Sequence, residues 1–272
     1  MNKTIFITGT SSGLGKRTAL HFAKLGWNVA ATLRTPEKET ELTQHKNIKL
    51  FKLDVTNLDQ VQESIAQAIA HFGKIDVVVN NAGMGSYGPL EFAKEETIDW
   101  QYQVNVRGPI NIIRGFLPHF RENGGGMFIN ISSFMGVTTA VPLGSLYNMS
   151  KFALEGLIEG LYYELKPLNI ELRLIEQGGS TENNFRESVI WNKSDEVDAY
   201  DHLIQKLTAL MANPNPEMLD DPQVIVDAID NLATGKSRQF RTLVGATANN
   251  LLQLRGSIPI DEYLKTMAAY YN

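Results

Sequence analysis

The chain has 272 residues, of which 43% are hydrophobic, and this is enough to bury one sizeable core. Its formal net charge is -5 and no long basic run is present, so the sequence gives no indication of nucleic-acid binding. The absence of cysteine excludes disulfides and thiolate chemistry and favours a reducing cytoplasm. No segment resembles a signal peptide or approaches the roughly 18 apolar residues of a membrane span. We therefore expect a cytoplasmic protein without a membrane partner.

A β-branched and aromatic run at residues 3–8 leads directly into a glycine-rich turn. The turn reads Gly9-Thr10-Ser11-Ser12-Gly13-Leu14-Gly15, and an apolar helical face follows it until Gly26 ends the helix. Glycines let the backbone approach a pyrophosphate closely, and the unpaired N–H groups of the helix N-terminus attract the anion. The sequence therefore predicts a dinucleotide site at this turn.

The glycine spacing, TGxxxGxG, differs from the GxGxxG of the Rossmann fingerprint. The three glycines are therefore also compatible with a turn that binds no ligand. A Walker loop is excluded, because the Gly-Lys-Ser/Thr ending is missing. If phosphates bind here, backbone and hydroxyl groups must hold them.

Strand-like and helix-like segments alternate after the first helix. Strands are predicted at 28–33, 48–53, 75–79, 126–131 and 170–175, and helices at 36–44, 58–72, 146–165 and over much of 94–120. This alternation predicts an α/β fold with a doubly wound parallel sheet and helices on both faces. In such a sheet, ligands bind at the carboxyl ends of the strands.

Polar residues follow the predicted strands at these ends. They are Arg34 after the second strand, Asp54 and Val55 after the third, Asn80-Asn81-Ala82-Gly83 after the fourth, and Ser132-Ser133 after the next. Because the carboxyl ends of parallel strands meet at one edge of a sheet, we expect these residues to border one cleft.

Tyr147 and Lys151 stand four residues apart in the predicted helix at 146–165, so their side chains share one helix face. An ammonium near a phenol favours the phenolate and makes proton transfer feasible near neutral pH. Alone, the pair is equally typical of a surface aromatic beside a solvated amine. The glycine turn and the polar strand ends favour the catalytic interpretation.

In this order, the glycine turn, Asp54, the Asn-Asn-Ala-Gly run, Asn105, Ser133, Tyr147 and Lys151 resemble the short-chain dehydrogenase/reductase family over nearly the whole chain. The resemblance implies that Tyr147 is the proton donor or acceptor. Lys151 would lower the pKa of Tyr147 and bind the nicotinamide ribose. Ser133 would hydrogen-bond the substrate oxygen, and Asn105 would hold a water that completes a proton relay with Lys151.

The same resemblance implies that Asn81, Ala82 and Gly83 line the cofactor site and that Asp54 contacts the adenine. Structural roles remain open for several of these residues. Asn81 is equally suited to hydrogen bonding at the sheet end, and Asp54 to capping the helix near residue 58, although Thr56 or Asn57 suits that role better. Similarly, Asn105 is compatible with a satisfied buried amide and Ser133 with a strand-end cap.

The end of the second predicted strand bears on the choice of cofactor. An acid there would accept both ribose hydroxyls of NAD, whereas an arginine can pair with the 2′-phosphate of NADP. Leu33 occupies the expected acid position and Arg34 follows it, which favours NADP, with Lys38 as a possible further contact. NAD stays open, because Arg34 is alternatively an ordinary exposed arginine.

Two features depart from the family pattern. The interval from Ser133 to Tyr147 is one residue longer than usual, so the loop at 137–144 must bulge if Ser133 is the catalytic serine. After the strand at 170–175 the family usually has Pro-Gly, whereas this chain has Gln177-Gly178, and the glutamine would reshape the floor of the nicotinamide site. We still expect Gly178 and Thr181 to contact the cofactor.

Residues 182–222 follow a looser pattern, which the family resemblance assigns to a lid over the substrate. Phe185, Trp191 and Met211 would give this lid an apolar face, with core packing as the alternative for each. Further on, the pattern predicts a helix at 223–233, a strand at 240–244 and helices at 249–254 and 261–270. Residues 246–272 resemble the C-terminal extensions of relatives that act on bulky ketones. We assign residues 1–272 to a single domain.

The sequence thus predicts an NADP(H)-dependent carbonyl reductase or alcohol dehydrogenase that acts on a small molecule without a metal. An NAD(H)-linked hydroxysteroid or lipid alcohol dehydrogenase of the same fold is the alternative enzyme. A regulatory protein that binds NADP without turnover is the alternative from another class, and the Tyr147–Lys151 pair counts against it.

Family members commonly form homodimers or homotetramers through their long central helices. A helix face made of Phe152, Leu157, Leu161 and Tyr162 would suit such an interface. The same face would equally suit packing on the chain's own sheet.

Overall fold

Parallel strands form a seven-stranded sheet in the computed structural model, which describes residues 2–181, 188–215 and 219–271. In chain order the strands are β1 (Thr4–Thr8), β2 (Asn28–Leu33), β3 (Ile48–Lys52), β4 (Val77–Asn80), β5 (Ser86–Tyr87), β6 (Gly126–Ile131), β7 (Ile170–Gln177), β8 (Gly179–Ser180), β9 (Ile190–Trp191), β10 (Leu219–Asp220) and β11 (Arg241–Val244). The sheet has the order β11-β7-β6-β4-β1-β2-β3, and β5 with β9 and β8 with β10 form separate two-residue pairs. The predicted doubly wound α/β fold is confirmed.

Helices cover both faces of this sheet. They are α1 (Gly13–Lys24), α2 (Leu58–Phe72), α3 (Glu95–Tyr102), α4 (Gly108–Glu122), α5 (Ser145–Leu165), α6 (Asp201–Ala212), α7 (Pro222–Ala233), α8 (Ala246–Ser257) and α9 (Ile260–Tyr271). Local capping fixes some of their starts. The Asn57 side chain accepts the N–H of Gln60 at the start of α2, and that of Asp221 accepts the N–H of Gln223 at the start of α7.

The core has two layers, because successive residues of a strand point to opposite faces of a sheet. In β1, Phe6 packs in the layer that contains apolar residues of α2, α4 and α5. Ile5 and Ile7 pack in the other layer, with apolar residues of α1 and α7. Both faces of the central strands are therefore buried, which explains their unbroken apolar sequences.

Several elements differ from their predictions for identifiable reasons. The predicted helix at 36–44 forms two 3-10 turns, Pro36–Lys38 and Leu42–Gln44, because the Glu39 carboxylate accepts the N–H groups of Glu41 and Leu42 between them. The predicted long helix at 94–120 contains a π-helical turn, Gln103–Arg107, between α3 and α4. Pro109 accounts for this turn, since it has no N–H to donate to the carbonyl of Asn105. Helix α6 was not predicted.

The sheet changes direction next to β1. This strand pairs with β2 on one side and with β4 on the other, and the chain returns across the sheet between β3 and β4. A crevice opens at such a switch point beyond the carboxyl ends of the strands. The glycine turn and the ends of β2, β4 and β6 therefore meet at one edge of the molecule.

Candidate active site

The glycine turn between β1 and α1 leaves no room for side chains at two positions. Gly9 has φ +73°, and a Cβ there would lie 3.0 Å from the Cα of Ala82. A Cβ on Gly15 would lie 2.2 Å from the Gly9 carbonyl oxygen. Ser12 is the N-cap of α1, but its side chain makes no capping hydrogen bond, which leaves the first N–H groups of the helix available to an anion.

Asn81 joins the glycine turn to the end of β4. Its Nδ2 donates to the carbonyl oxygens of Thr8 at 2.9 Å and Gly9 at 3.0 Å. The backbone N–H groups of Asn81 and Ala82 both donate to Thr8 Oγ1 at 3.0 Å. The amide thus has a structural role at the sheet end, and the residue also lines the cleft described below.

The ends of β2 and β3 form another part of the wall. Arg34 is exposed beside Leu33, and among the described residues no carboxylate forms an ion pair with it. Asp54 Oδ1 accepts the N–H of Thr56 at 2.9 Å and its hydroxyl at 2.7 Å. Asp54 therefore closes a turn before α2, whose N-cap is Asn57.

Asn105 lies in the π-helical turn, and its amide is fully engaged. Oδ1 accepts the N–H of Met84 at 2.9 Å, while Nδ2 donates to the Met84 carbonyl at 2.9 Å and to Ser150 Oγ at 3.1 Å. A Cβ on Gly83 would lie 3.5 Å from Asn105 Oδ1 and 4.0 Å from Lys151 Nζ. Asn105 thus fixes the chain segment that passes beside Lys151.

Tyr147, Ser133 and Lys151 meet where α5 crosses the end of β6. The Ser133 hydroxyl hydrogen-bonds to Tyr147, and Ser133 Oγ accepts the N–H of Met135 at 3.1 Å. Lys151 Nζ donates to the Ile131 carbonyl at 2.8 Å and lies 5.7 Å from the centre of the Tyr147 ring. All three side chains are buried.

Burial is the main cause of the pKa shifts of Tyr147 and Lys151. It raises the pKa of Tyr147, and the hydrogen bond from Ser133 opposes that rise. Burial also lowers the pKa of Lys151 to about 8, against the influence of the Glu155 charge. Near neutral pH the phenol therefore holds its proton, which is the form needed in a proton donor.

The longer interval between Ser133 and Tyr147 does not separate the two side chains. Leu143, within the segment predicted to bulge, has φ +59°, a left-handed conformation that is uncommon outside glycine. The Leu143 carbonyl accepts the N–H of Gly88 at 2.8 Å, which anchors the loop. The extra residue is accommodated in this loop, so the Ser133–Tyr147 hydrogen bond forms.

The glycine turn, the strand ends and α5 line one cleft of about 390 Å³. The predicted site residues that line it are Gly9, Ser11, Ser12, Gly13, Leu14, Gly15, Arg34, Asp54, Val55, Asn81, Ala82, Gly83, Tyr147 and Lys151. Ser133 and Asn105 are not part of its lining but contact residues of the site, as described above. Lining residues that sequence reasoning missed include Trp100, Ser180 and Ile190, whose positions depend on long-range packing.

Comparison with known proteins gives the family. The short chain dehydrogenase family matches residues 3–191. The chain belongs to the short-chain dehydrogenase/reductase family. It is 34% identical over 245 residues to a 3-ketodihydrosphingosine reductase of Bacteroides thetaiotaomicron, covering 89% of this chain and 87% of that protein.

Solved structures agree with this assignment. A short-chain dehydrogenase from Streptomyces avermitilis superposes with a TM-score of 0.84 at 28% identity, covering 99% of this chain and 98% of that one. ElxO with NADP bound superposes with a TM-score of 0.73 at 27% identity, covering 90% and 96% of the two chains. As a member of this family the chain is an oxidoreductase that acts on CH–OH groups with a nicotinamide cofactor.

The glutamine that departs from the family's usual Pro-Gly lies at the end of β7. This strand continues two residues beyond its predicted end, because Gln177 pairs with Val244 of β11. Gln177 lines the cleft, whereas Gly178 and Thr181 do not. Thr181 is exposed, and its N–H donates to the Asp220 carbonyl at 3.0 Å, whereas the preceding Ser180 lines the cleft.

Tyr147 belongs to a small apolar cluster. Tyr87 stacks on Tyr147 with ring centres 6.0 Å apart, and Leu207 of α6 is buried with them. Trp191 and Met211, two of the predicted lid residues, pack against this cluster. The third, Phe185, lies outside the described residues, as does much of the start of the predicted lid.

The described part of the chain contains neither a candidate metal centre nor a membrane-spanning helix. In residues 2–181, 188–215 and 219–271, no group of three or more His, Cys, Asp or Glu side chains is arranged to hold a metal ion. Within the same ranges no helix is long and apolar enough to cross a membrane.

Proposed function

We propose that the chain is an NADP(H)-dependent reductase that converts a bulky apolar ketone or aldehyde to an alcohol, with Tyr147 as proton donor. The observation that carries this proposal is the buried contact of Tyr147 with Ser133 beside Lys151, at the inner end of a cleft whose glycine turn fits a pyrophosphate. In the opposite direction the same residues would oxidise the alcohol, with Tyr147 as proton acceptor.

In this reaction the chain's own residues act on the carbonyl oxygen of the substrate. When bound, the cofactor supplies a hydride to the carbonyl carbon, and the carbonyl oxygen then gains negative charge. Tyr147 donates its proton to that oxygen, while the Ser133 hydroxyl hydrogen-bonds to it. Lys151 stabilises the phenolate left behind, because its ammonium lies near the Tyr147 ring. Its position also suits a hydrogen bond to the nicotinamide ribose.

Preference for NADP is supported by the end of β2. Arg34 lines the cleft and is free of carboxylate partners among the described residues, so its guanidinium is available to a 2′-phosphate. No acid occupies position 33, where Leu33 would leave the ribose hydroxyls of NAD without an acceptor. Lys38 is exposed and is not among the residues that line the cleft.

A bulky apolar substrate is supported by the aromatic and aliphatic surroundings of Tyr147. Tyr87, Met135 and Leu207 are buried around it, and Trp191 packs on Tyr87 with ring centres 6.1 Å apart. One relative is a 3-ketodihydrosphingosine reductase, a name that describes the reduction of a keto group. We therefore infer a lipid-like ketone rather than a polar sugar.

The first experiment measures NADPH and NADH binding by fluorescence, followed by turnover on a panel of lipid-like ketones. Tyr147→Phe should lower turnover by about 10²- to 10⁴-fold while cofactor binding persists. Tyr87→Phe is the matched control, because it removes the hydroxyl of the neighbouring stacked ring. Cofactor binding without turnover of any ketone would favour the regulatory alternative. Full activity in Tyr147→Phe would refute the proposed proton donor.

Cofactor preference has its own test. Arg34→Asp should weaken NADPH binding by about 10- to 100-fold, because a charge-assisted contact to the 2′-phosphate is replaced by repulsion. Lys46→Asp makes the same change of charge at an exposed position outside the cleft and should have little effect. Unchanged NADPH binding in Arg34→Asp would favour the NAD(H)-linked hydroxysteroid or lipid alcohol dehydrogenase, and equal affinity of the wild type for both cofactors would refute the role of Arg34.

We also propose that the chain forms a homodimer or homotetramer through α5. Phe152, Gly156, Gly160 and Tyr163 are exposed along this helix. Leu161 and Tyr162 of the predicted interface instead pack partly on the chain's own core. Light scattering of wild type and Phe152→Glu tests the proposal, since a monomeric wild type would refute it. A single domain, a lid at 182–222 and a cytoplasmic location stay predictions.

A further inference from the structure

Behind Lys151, a cluster of charged side chains lies away from the cleft. Glu155 of α5 and Glu176 of β7 are both buried, and both approach the same nitrogen of Arg241 in β11. Arg241 Nε lies 3.2 Å from Glu155 Oε2 and 3.3 Å from Glu176 Oε1. The other end of the guanidinium, Nη2, lies 3.0 Å from Oε2 of the exposed Glu159.

One guanidinium N–H cannot satisfy two buried carboxylates. Nε carries a single hydrogen, which can compensate only one of the two carboxylates. The pair Glu155 and Glu176 therefore needs one further proton. Burial, together with the neighbouring Glu155 charge, raises the pKa of Glu176 to about 8. Glu176 therefore holds a proton at neutral pH and is placed to share it with the neighbouring Glu155. Burial raises the pKa of Glu155 as well, but Ser132, Arg241 and Lys151 oppose this rise, so Glu155 is the anion of the pair.

Glu155 is placed to act on Lys151. The two residues are four apart on α5 and share a helix face, and Tyr147 lies four residues before Lys151 on the same face. Burial lowers the pKa of Lys151, and the charge of Glu155 is what opposes this effect. The buried Ser132 hydroxyl, at the end of β6, lies beside Glu155 and lowers the pKa of its carboxyl group. A Cβ on Gly136 would lie 2.8 Å from Ser132 Oγ and 3.0 Å from Glu155 Cγ, so this space is closely packed.

We propose that Glu155 is a positioning residue whose negative charge, maintained by Arg241, Ser132 and protonated Glu176, keeps Lys151 cationic beside Tyr147. The residue touches neither substrate nor cofactor and acts through Lys151. The charged and titratable groups around Glu155 are Lys151 and Glu159 on its own helix, Glu176 on β7 and Arg241 on β11. The inference rests on the proposed contact of Lys151 with the nicotinamide ribose.

The test follows NADPH affinity by fluorescence from pH 6 to pH 10, which requires no substrate. Affinity of the wild type should fall at alkaline pH as Lys151 loses its proton, and Lys151→Met should abolish this alkaline transition. In Glu155→Gln the transition should move to lower pH by about one unit, the scale expected for the loss of one nearby opposite charge. Glu159→Gln is the matched control, because it removes an exposed carboxylate that contacts the same Arg241. Its transition should coincide with that of the wild type.

Three further variants separate this role from a structural one. Glu176→Gln keeps a neutral donor to Glu155 and should retain the wild-type transition. If Glu155→Gln does not fold, Ser132→Ala removes the hydroxyl that lowers the pKa of Glu155 and should move the transition the same way by a smaller amount. Glu155→Asp should restore most of the wild-type behaviour.

Three results would overturn the inference. The first is an unchanged transition in Glu155→Gln, or in Ser132→Ala where Glu155→Gln does not fold. The others are a shift in Glu176→Gln equal to that in Glu155→Gln, and an alkaline transition that persists in Lys151→Met. Failure of the proposed function is distinguishable from these results. It would appear as absent ketone turnover, or as full turnover in Tyr147→Phe, whatever the pH dependence of NADPH binding.

Discussion

Gly15 is the residue of the glycine turn with the least space for a side chain. A Cβ there would lie 2.2 Å from the Gly9 carbonyl oxygen and 2.5 Å from Asn81 Nδ2. Gly15→Ala must therefore move the turn and break the contact that joins it to β4. We expect the free energy of unfolding to fall by about 1–3 kcal/mol and NADPH binding to weaken by at least about tenfold. Urea unfolding and a fluorescence titration measure the two effects.

Gly256→Ala is the control for this substitution. Gly256 is exposed on α8, and a Cβ there would have no neighbour within 4 Å. The same added methyl group should stabilise the helix by about 0.5–1 kcal/mol and leave NADPH affinity unchanged. Equal effects of the two alanines on affinity would show that steric exclusion at Gly15 does not shape the cofactor site.

At the scale of elements, α4 is tied to the start of β4 by a buried histidine. His119 Nε2 accepts the backbone N–H of Ile75 at 3.1 Å, which requires that this nitrogen carry no proton. Burial lowers the pKa of His119. His119 therefore binds a proton more readily in the unfolded chain than in the folded one. The contribution of this contact to stability is complete above the pKa of histidine in the unfolded chain, about 6.5, and is lost as the pH falls below that value. We expect the urea midpoint of the wild type to fall between pH 7.5 and pH 5.

His119→Gln isolates this contribution. Glutamine offers an amide oxygen to the Ile75 N–H but does not titrate. Carboxylates such as Asp76 and Glu122 remain in both proteins, so their titration contributes equally to both. The wild type should therefore lose more stability than His119→Gln over this pH interval. Parallel pH profiles of the two proteins would contradict the assignment.

Elements defined by local patterns were the ones that could be predicted from sequence. The predicted strand at 28–33 matches β2, because a continuous apolar run and the following charged residue define it locally. The break between α3 and α4 was missed although Pro109 signals it, and β7 was predicted too short because Gln177 is held by its partner strand β11. Helix α6 has apolar residues at helical spacing, such as Leu203, Leu207 and Met211, but its charged neighbours obscured the pattern.

At the scale of the whole molecule, the residues of the glycine turn, the strand ends and α5 could be predicted to border one cleft because the topology of a parallel sheet brings them together. The buried acid pair could not be predicted in this way. Glu155 and Glu176 belong to different elements, and their proximity depends on how α5 packs on β7 and how Arg241 of β11 approaches both. Spacing along the chain carries no information about such contacts.

Because the cleft is lined by residues that follow β1 and β4 and by residues of β2, β6 and α5, cofactor binding should stabilise the whole fold rather than one segment. A ligand at 100 times its Kd stabilises a protein by about 2.7 kcal/mol, which for a chain of this size corresponds to a rise in Tm of about 5–10 °C.

We expect this rise with NADPH in the wild type and in Tyr147→Phe, since the phenolic oxygen acts in proton transfer. At the same NADPH concentration, Arg34→Asp should show a much smaller rise because its affinity is lower. Differential scanning fluorimetry with NADPH and NADH compares these proteins directly. If NADH raised the Tm of the wild type as much as NADPH at equal concentration, Arg34 would have no part in selecting the cofactor.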